Sequence, residues 1–123
     1  MKTEYHGIVI KESLSDQSVL KAMTLLGKKV SADGWTLLRV GVEGEMIDEV
    51  LKRVKASLLT EDGVPYYAHF YRDDELIVVF PRKLFYVTSK KETWGTVVDY
   101  GVSNGIPRDQ MDIRPCRVED ETY

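Results

Sequence analysis

The spacing of apolar residues changes period several times along this chain, and each change marks an element. Residues 5–11 (Tyr-His-Gly-Ile-Val-Ile-Lys) form a short apolar run that predicts a strand. Ser13-Leu14-Ser15-Asp16 then offers helix caps. Val19, Met23 and Leu26 follow at helical spacing, predicting a first helix closed by Gly27, with Lys28 and Lys29 at the negative end of its dipole. Asp33-Gly34 marks a turn. Over residues 35–42 the pattern alternates, with Leu38, Val40 and Val42 on one face and Leu37, Arg39 and Gly41 on the other, which predicts a second strand.

Residues 45–58 carry the clearest helical stripe, Ile47, Val50, Leu51, Val54 and Leu58. Acidic side chains lie early in it and basic ones late, as the helix dipole favours. Asp62-Gly63 and Pro65 end it. Residues 66–72 alternate again, with Tyr66, Ala68 and Phe70 on one face and Tyr67, His69 and Tyr71 on the other. Asp73-Asp74 connects to a strand at 75–80 that is apolar on both sides. Pro81 breaks the ladder, residues 84–88 continue it, and Ser89-Lys90-Lys91-Glu92 has the form of a capping box for a third helix. Trp94, Val97, Val98 and Gly101 face inward on that helix, and Gly105-Ile106-Pro107 stops it. Met111 and Ile113 alternate with polar neighbours and suggest a last short strand within 110–116.

The expected order from residue 35 onward is βαββαβ. The fold class expected is therefore α+β, a ferredoxin-like two-layer sandwich with both helices on one sheet face and an N-terminal strand–helix extension. One domain over residues 1–117 is expected, followed by an acidic, flexible tail at 118–123.

Composition narrows the function classes. The 123 residues are 43% hydrophobic and 30% charged, an ordinary globular balance. Of the 20 acidic residues three are Glu119, Asp120 and Glu121, so the remaining chain balances 17 acidic against 17 basic residues. That neutrality argues against a nucleic-acid partner, whose phosphates demand a basic excess. A single cysteine, Cys116, permits no internal disulfide, and the longest apolar run, Leu76 to Phe80, is too short to cross a bilayer. The expected setting is cytoplasmic, with no membrane contact.

Two stretches, Trp35-Thr36-Leu37 with Tyr66-Tyr67-Ala68-His69-Phe70 downstream, and Tyr100-Gly101-Val102-Ser103-Asn104-Gly105-Ile106-Pro107 with Gln110 and Asp112, carry a family likeness. Together with the Phe80, Lys83 and Phe85 turn they resemble a group of small uncharacterised bacterial and archaeal proteins, from Gly7 to Asp112. Members of that group have a longer segment before the position of Trp35. The resemblance implies no activity, cofactor or site residue.

The residues themselves carry the functional expectation. If Tyr66, Ala68 and Phe70 meet the helices, Tyr67, His69 and Tyr71 line the face without helices, beside Leu37 and Arg39. Rings with hydrogen-bonding tips suit a surface that meets a ligand or another subunit. The favoured reading is a non-catalytic binding or interaction module that forms a homodimer or takes a small-molecule ligand through this open face, with Tyr67, His69, Tyr71, Arg39 and Leu37 as contact residues. The competing structural reading is that the chain's own extension or tail covers that face. The alternative function is a small enzyme or sensor with a pocket near His69, to which His6, Arg39 and Arg72 contribute polar groups. No catalytic residue, cofactor or metal is assigned: two histidines and a distant cysteine lack metal-ligand spacing, and no Walker, dinucleotide or nucleophile-elbow pattern occurs. Arg82, Lys83, Lys90 and Lys91 cluster before the third helix and read as ordinary solvated charge.

Overall fold

Side-chain alternation along the strands sorts the apolar residues into two cores, one on each side of a single sheet. The computed structural model describes residues 4–111 and 113–123. The strands are β1 (Glu4–Ile10), β2 (Thr24–Val30), β3 (Thr36–Glu43), β4 (Thr60–Glu61), β5 (Val64–Pro65), β6 (Ala68–Arg72), β7 (Glu75–Phe80) and β8 (Lys83–Thr88). Two α-helices complete the set, α1 (Ile47–Ser57) and α2 (Gly95–Ser103). Six strands make an open sheet in the order β2-β3-β1-β6-β7-β8, with every pair antiparallel, and β4 with β5 forms a separate small hairpin.

The architecture is α+β, but the sheet order is not the ferredoxin-like one. β3, α1 and β6 make a split crossover, and the strand between β3 and β6 is β1 rather than a later one. β1 pairs Gly7 with Val40 on one side and with Phe70 on the other, so the strand expected as an extension occupies the middle of the sheet. The expected first helix is also absent. Asp16 caps only a 3-10 turn over Gln17–Ala22, accepting from the Ser18 amide at 3.0 Å. Residues 24–30 then pair with β3 across a turn in which Gly34 takes φ +88°. Val19 is buried, but the apolar spacing beyond it serves a hairpin, because the Asp33-Gly34 loop returns the chain directly onto this segment.

One core lies between α1 and the sheet. Val50, Leu51 and Val54 pack on Val9, Val40, Val42, Phe70 and Val79. The other lies beneath α2. There Trp94, Val97, Ile106, Met111 and Ile113 cover Ile8, Tyr71, Leu76, Val78 and Phe80. The two helices therefore occupy opposite faces, not one, which is why β7 is apolar on both sides. Residues 113–116 run without strand pairing, and so do Gln110 and Met111; the predicted last strand also includes Asp112, which lies outside the described residues.

The start of α2 also departs from expectation. Ser89 does not cap it: its hydroxyl lies 3.4 Å from Asp74 Oδ1, and Thr93 Oγ1 donates instead to the Lys90 carbonyl at 2.7 Å. The far end follows the expected stop. Ile106 donates to the Gly101 carbonyl at 3.0 Å and Gly105 to that of Val102 at 3.1 Å, the paired bonds of a Schellman motif, with Gly105 at φ +100°. A Cβ at Gly105 would also stand 3.0 Å from Val64 Cγ2. Gly105→Ala is expected to cost about 1–2 kcal/mol in urea unfolding. An unchanged midpoint would show that the left-handed residue does not set the stop.

Candidate functional site

The sheet face beneath α2 presents two polar rows. β1 pairs His6 with Gly41 on β3 and with Tyr71 on β6; it pairs Ile8 with Arg39 and with His69. Alternation thus brings His6, Arg39, His69 and Tyr71 onto one surface. The residues after Cys116 lie across it. Glu121 accepts from Tyr71 Oη at 2.5 Å, from Arg39 Nη1 at 2.8 Å, and meets His6 Nδ1 at 2.6 Å. Glu4 stands on the other side of His6, 3.4 Å from Nε2, in space left by Gly41, where a Cβ would lie 2.7 Å from its carboxylate. Arg39 Nε donates to the main-chain oxygen of Tyr123. The Glu121 side chain is only 8% exposed, so a buried carboxylate is held by a guanidinium, an imidazole and a phenol. Burial first, and then the hydrogen bond to Glu121, push the Tyr71 phenol far above its ordinary range.

Next to this clasp the same face opens into a cleft of about 530 Å³. Its floor is Ile8, Ile10 and Leu37, with Tyr67, His69 and Tyr123 along one side. Two hairpin tips form the mouth. One is the β2–β3 loop, which supplies Asp33 and Trp35; the other is the β4–β5 hairpin and the residues after it, which supply Glu61, Asp62 and Tyr66. Asp62 and Gly63 both take positive φ, 54° and 81°, as a two-residue hairpin turn requires. Trp35 and Tyr66 meet edge to face, centroids 5.7 Å apart at 71°. The Tyr66 phenol is raised by burial and by the nearby charge of Glu61.

The five expected contact residues therefore divide. Leu37, Tyr67 and His69 line the cleft, whereas Arg39 and Tyr71 belong to the clasp around Glu121. Tyr67 donates to the Gln110 carbonyl at 2.7 Å, and His69 Nε2 donates to the Pro115 carbonyl at 2.8 Å. A main-chain carbonyl can only accept, so Nε2 carries the proton. The expected bare face is not observed: α2 and described residues after it, among them Ile106, Met111, Ile113 and Cys116, cover it, leaving His69 3% and Tyr71 0% exposed. The competing structural reading has the N-terminal extension or the tail cover this face; the C-terminal segment does so in part, together with α2, whose expected place is the other face. The segment read as an acidic tail supplies Glu121 to the centre of the site.

Sequence reasoning missed Glu121, which sat in a run of three acids with no local periodicity. Trp35 drew no functional reading, and Tyr66, which does pack against the α1-side core as expected, also lines the cleft. Their signal was present, since each follows closely on an Asp-Gly turn, at 33–34 and 62–63. Arg72 stands outside the cleft, paired with Glu75 at 3.1 Å and stacked over the Tyr5 ring at 4.1 Å. Of the basic cluster, Lys83 lies over Phe85, and Lys91 lines a second cleft at the start of α2. There Arg108 and Arg117 stand among Asp99, Asp109 and Asp120. Cys116 is a buried free thiol raised by desolvation, and no group of three or more metal-ligating side chains comes together among the described residues. No helix of the described residues is long and apolar enough to cross a membrane. Comparisons with protein-family models, curated proteins and solved structures find no match for this chain.

Proposed function

We propose that this chain is a non-catalytic binding domain for a small molecule, and that the ligand sits in the cleft beside His69. One observation carries the reading: an apolar floor with polar groups at its rim, in a cleft of about 530 Å³. Ligand sites are concave and mostly apolar, with a few placed polar groups, and fall in the range of about 300–1,000 Å³. Binding is favoured over catalysis by the state of the two imidazoles. His6 stands between the carboxylates of Glu4 and Glu121, and His69 commits Nε2 to the Pro115 carbonyl. Both are tied into the fold, whereas a general base needs its imidazole aimed at a substrate proton. A ligand cleft is also favoured over a sheet-face homodimer, since that dimer would require α2 and the C-terminal segment to leave the face.

A fragment collection screened by thermal shift and by backbone amide NMR tests this. Fragments that raise the melting temperature are expected to move the amides of Ile8, Ile10, Leu37 and Tyr67. A ligand at tenfold its Kd stabilises the native state by about 1.4 kcal/mol. Leu37→Trp, which fills the floor, is expected to fold and lose the response. Fragment binding that maps elsewhere, or that survives Leu37→Trp, would overturn the reading.

A further inference from the structure

The charges at the mouth of the cleft are unequal in sign. Asp33, Glu61 and Asp62 line it, and all three are exposed on the two hairpin tips. Among the described residues that line the cleft, Arg114 is the one lysine or arginine. Neither Asp33 nor Asp62 takes part in an ion pair among the described residues. Between the two tips stand the rings of Trp35 and Tyr66, held nearly perpendicular at 5.7 Å. Both are part-buried, so each is fixed by packing while lining the cleft.

Perpendicular aromatic faces beside carboxylates form a corner that suits an organic cation. The ring quadrupole attracts a positive charge within about 6 Å of the centroid, most strongly at Trp, and quaternary ammonium groups are bound this way. Inside the corner the floor of Ile8, Ile10 and Leu37 offers nothing but hydrocarbon. A ligand that satisfies both parts has a charged ammonium end and an apolar body a few carbons long.

We propose that the cleft selects an organic ammonium compound, its cationic head in the Trp35–Tyr66 corner facing Asp33 and Asp62 and its apolar body on Ile8, Ile10 and Leu37. This deepens the binding-domain reading and rests on it. The hairpin tips then act as the selectivity elements, and the two Asp-Gly turns serve both to reverse the chain and to bring a carboxylate each to the lining of the cleft that Trp35 and Tyr66 share.

Three probes of one chain length separate the terms: hexyltrimethylammonium, 1-hexanol and hexanoate, each titrated into the full chain and followed by backbone amide shifts. The ammonium is expected to bind about tenfold more tightly than either of the others. Its advantage should shrink as salt rises from about 20 to 500 mM, because the carboxylates are exposed. Trp35→Leu is expected to remove most of the preference and Trp35→Phe to keep part of it, while Asp33→Asn with Asp62→Asn lowers it severalfold without altering the affinity for 1-hexanol. Equal binding of 1-hexanol at the cleft would overturn the cation assignment and leave the binding-domain reading standing. Tighter binding of hexanoate would overturn it in favour of Arg114. Failure of all three probes to move cleft amides would overturn the cation assignment; the fragment screen then decides separately whether the cleft binds anything.

Discussion

Replacing Glu121 by alanine should destabilise the chain by about 3 kcal/mol, an effect read from urea unfolding and at the lower end of what breaking a buried ion pair costs. The carboxylate is the shared partner of Arg39, His6 and Tyr71, whose hydrogen bonds to it span 2.5–2.8 Å. Its removal leaves the Arg39 guanidinium, only 17% exposed, without its ion-pair partner. The lower end applies because Arg39 retains donors to the Leu26 carbonyl and to Tyr123. Glu121→Gln keeps the shape but loses the charge and should cost less, and Tyr71→Phe, which deletes one hydrogen bond to a buried carboxylate, should cost about 1.5–2 kcal/mol. A loss below about 0.5 kcal/mol in Glu121→Ala would mean that the carboxylate does not hold the C-terminal segment on the sheet. The clasp also has a pH signature. The folded phenol of Tyr71 ionises above its ordinary value, so its contribution is fully present below about pH 10 and is lost as pH rises above that. Spectrophotometric titration should find Tyr71 the most resistant of several raised tyrosines in the native chain, and in Glu121→Ala ionising at lower pH but still above its ordinary value, because burial is the larger cause.

Gly7→Ala should be at least as damaging, about 3 kcal/mol or more, at the severe end of overpacking. An added Cβ would lie 2.4 Å and 2.7 Å from two ring carbons of Phe70 and 2.8 Å from the His69 carbonyl oxygen. Phe70 is fully buried beneath α1, so its ring cannot swing aside. β1 cannot shift either, since it is hydrogen-bonded to β3 and β6 on its two sides. The clash is shared between one side chain and one backbone, and a double-mutant cycle separates them. Phe70→Leu alone should destabilise by creating space, but Gly7→Ala with Phe70→Leu should be more stable than the sum of the single changes predicts, by about 1–2 kcal/mol. Strict additivity would mean that the His69 backbone, not the Phe70 ring, rejects the methyl group. Gly101 offers a contrast: an added Cβ there meets Met111 Sδ at 2.4 Å, the flexible end of a side chain, and Gly101→Ala should cost less.

Local patterns in the chain carried the elements where neighbours in sequence are also neighbours in space. The stripe that starts at Ile47 is a helix through Ser57 with Val50, Leu51 and Val54 buried, Leu58 already being extended, and the strand at 75–80 has the limits its apolar run implied. The assignment of Leu38, Val40 and Val42 to one face, and of Tyr67, His69 and Tyr71 to the opposite one, agrees with the two cores. Gly105 stops α2 through its own left-handed backbone, a preference that belongs to the residue and travels with it. Errors arose where two local readings competed. Val19, Met23 and Leu26 fit a helix, but Asp33-Gly34 equally marks a hairpin, and pairing with β3 decided for the hairpin. Ser89 and Glu92 fit a capping box, but Ser89 donates its amide to the Asp74 carbonyl across the end of the β7–β8 hairpin, and α2 starts at Gly95 with no side-chain cap.

By itself, then, the sequence determined the strand alternation, the two-sided apolarity of β7, the principal helix and its charge gradient, and the glycine stop of α2, because each depends on backbone geometry repeated over a few residues. Tertiary structure alone decided that β1 enters the middle of the sheet, that α2 covers the face opposite α1, and that Glu121 closes over His6 from 115 residues away. No periodicity reports such contacts. A strand's alternation says which side each residue faces but not which strand lies beside it. A lone carboxylate in an acidic run looks like surface until a guanidinium, an imidazole and a phenol are brought around it.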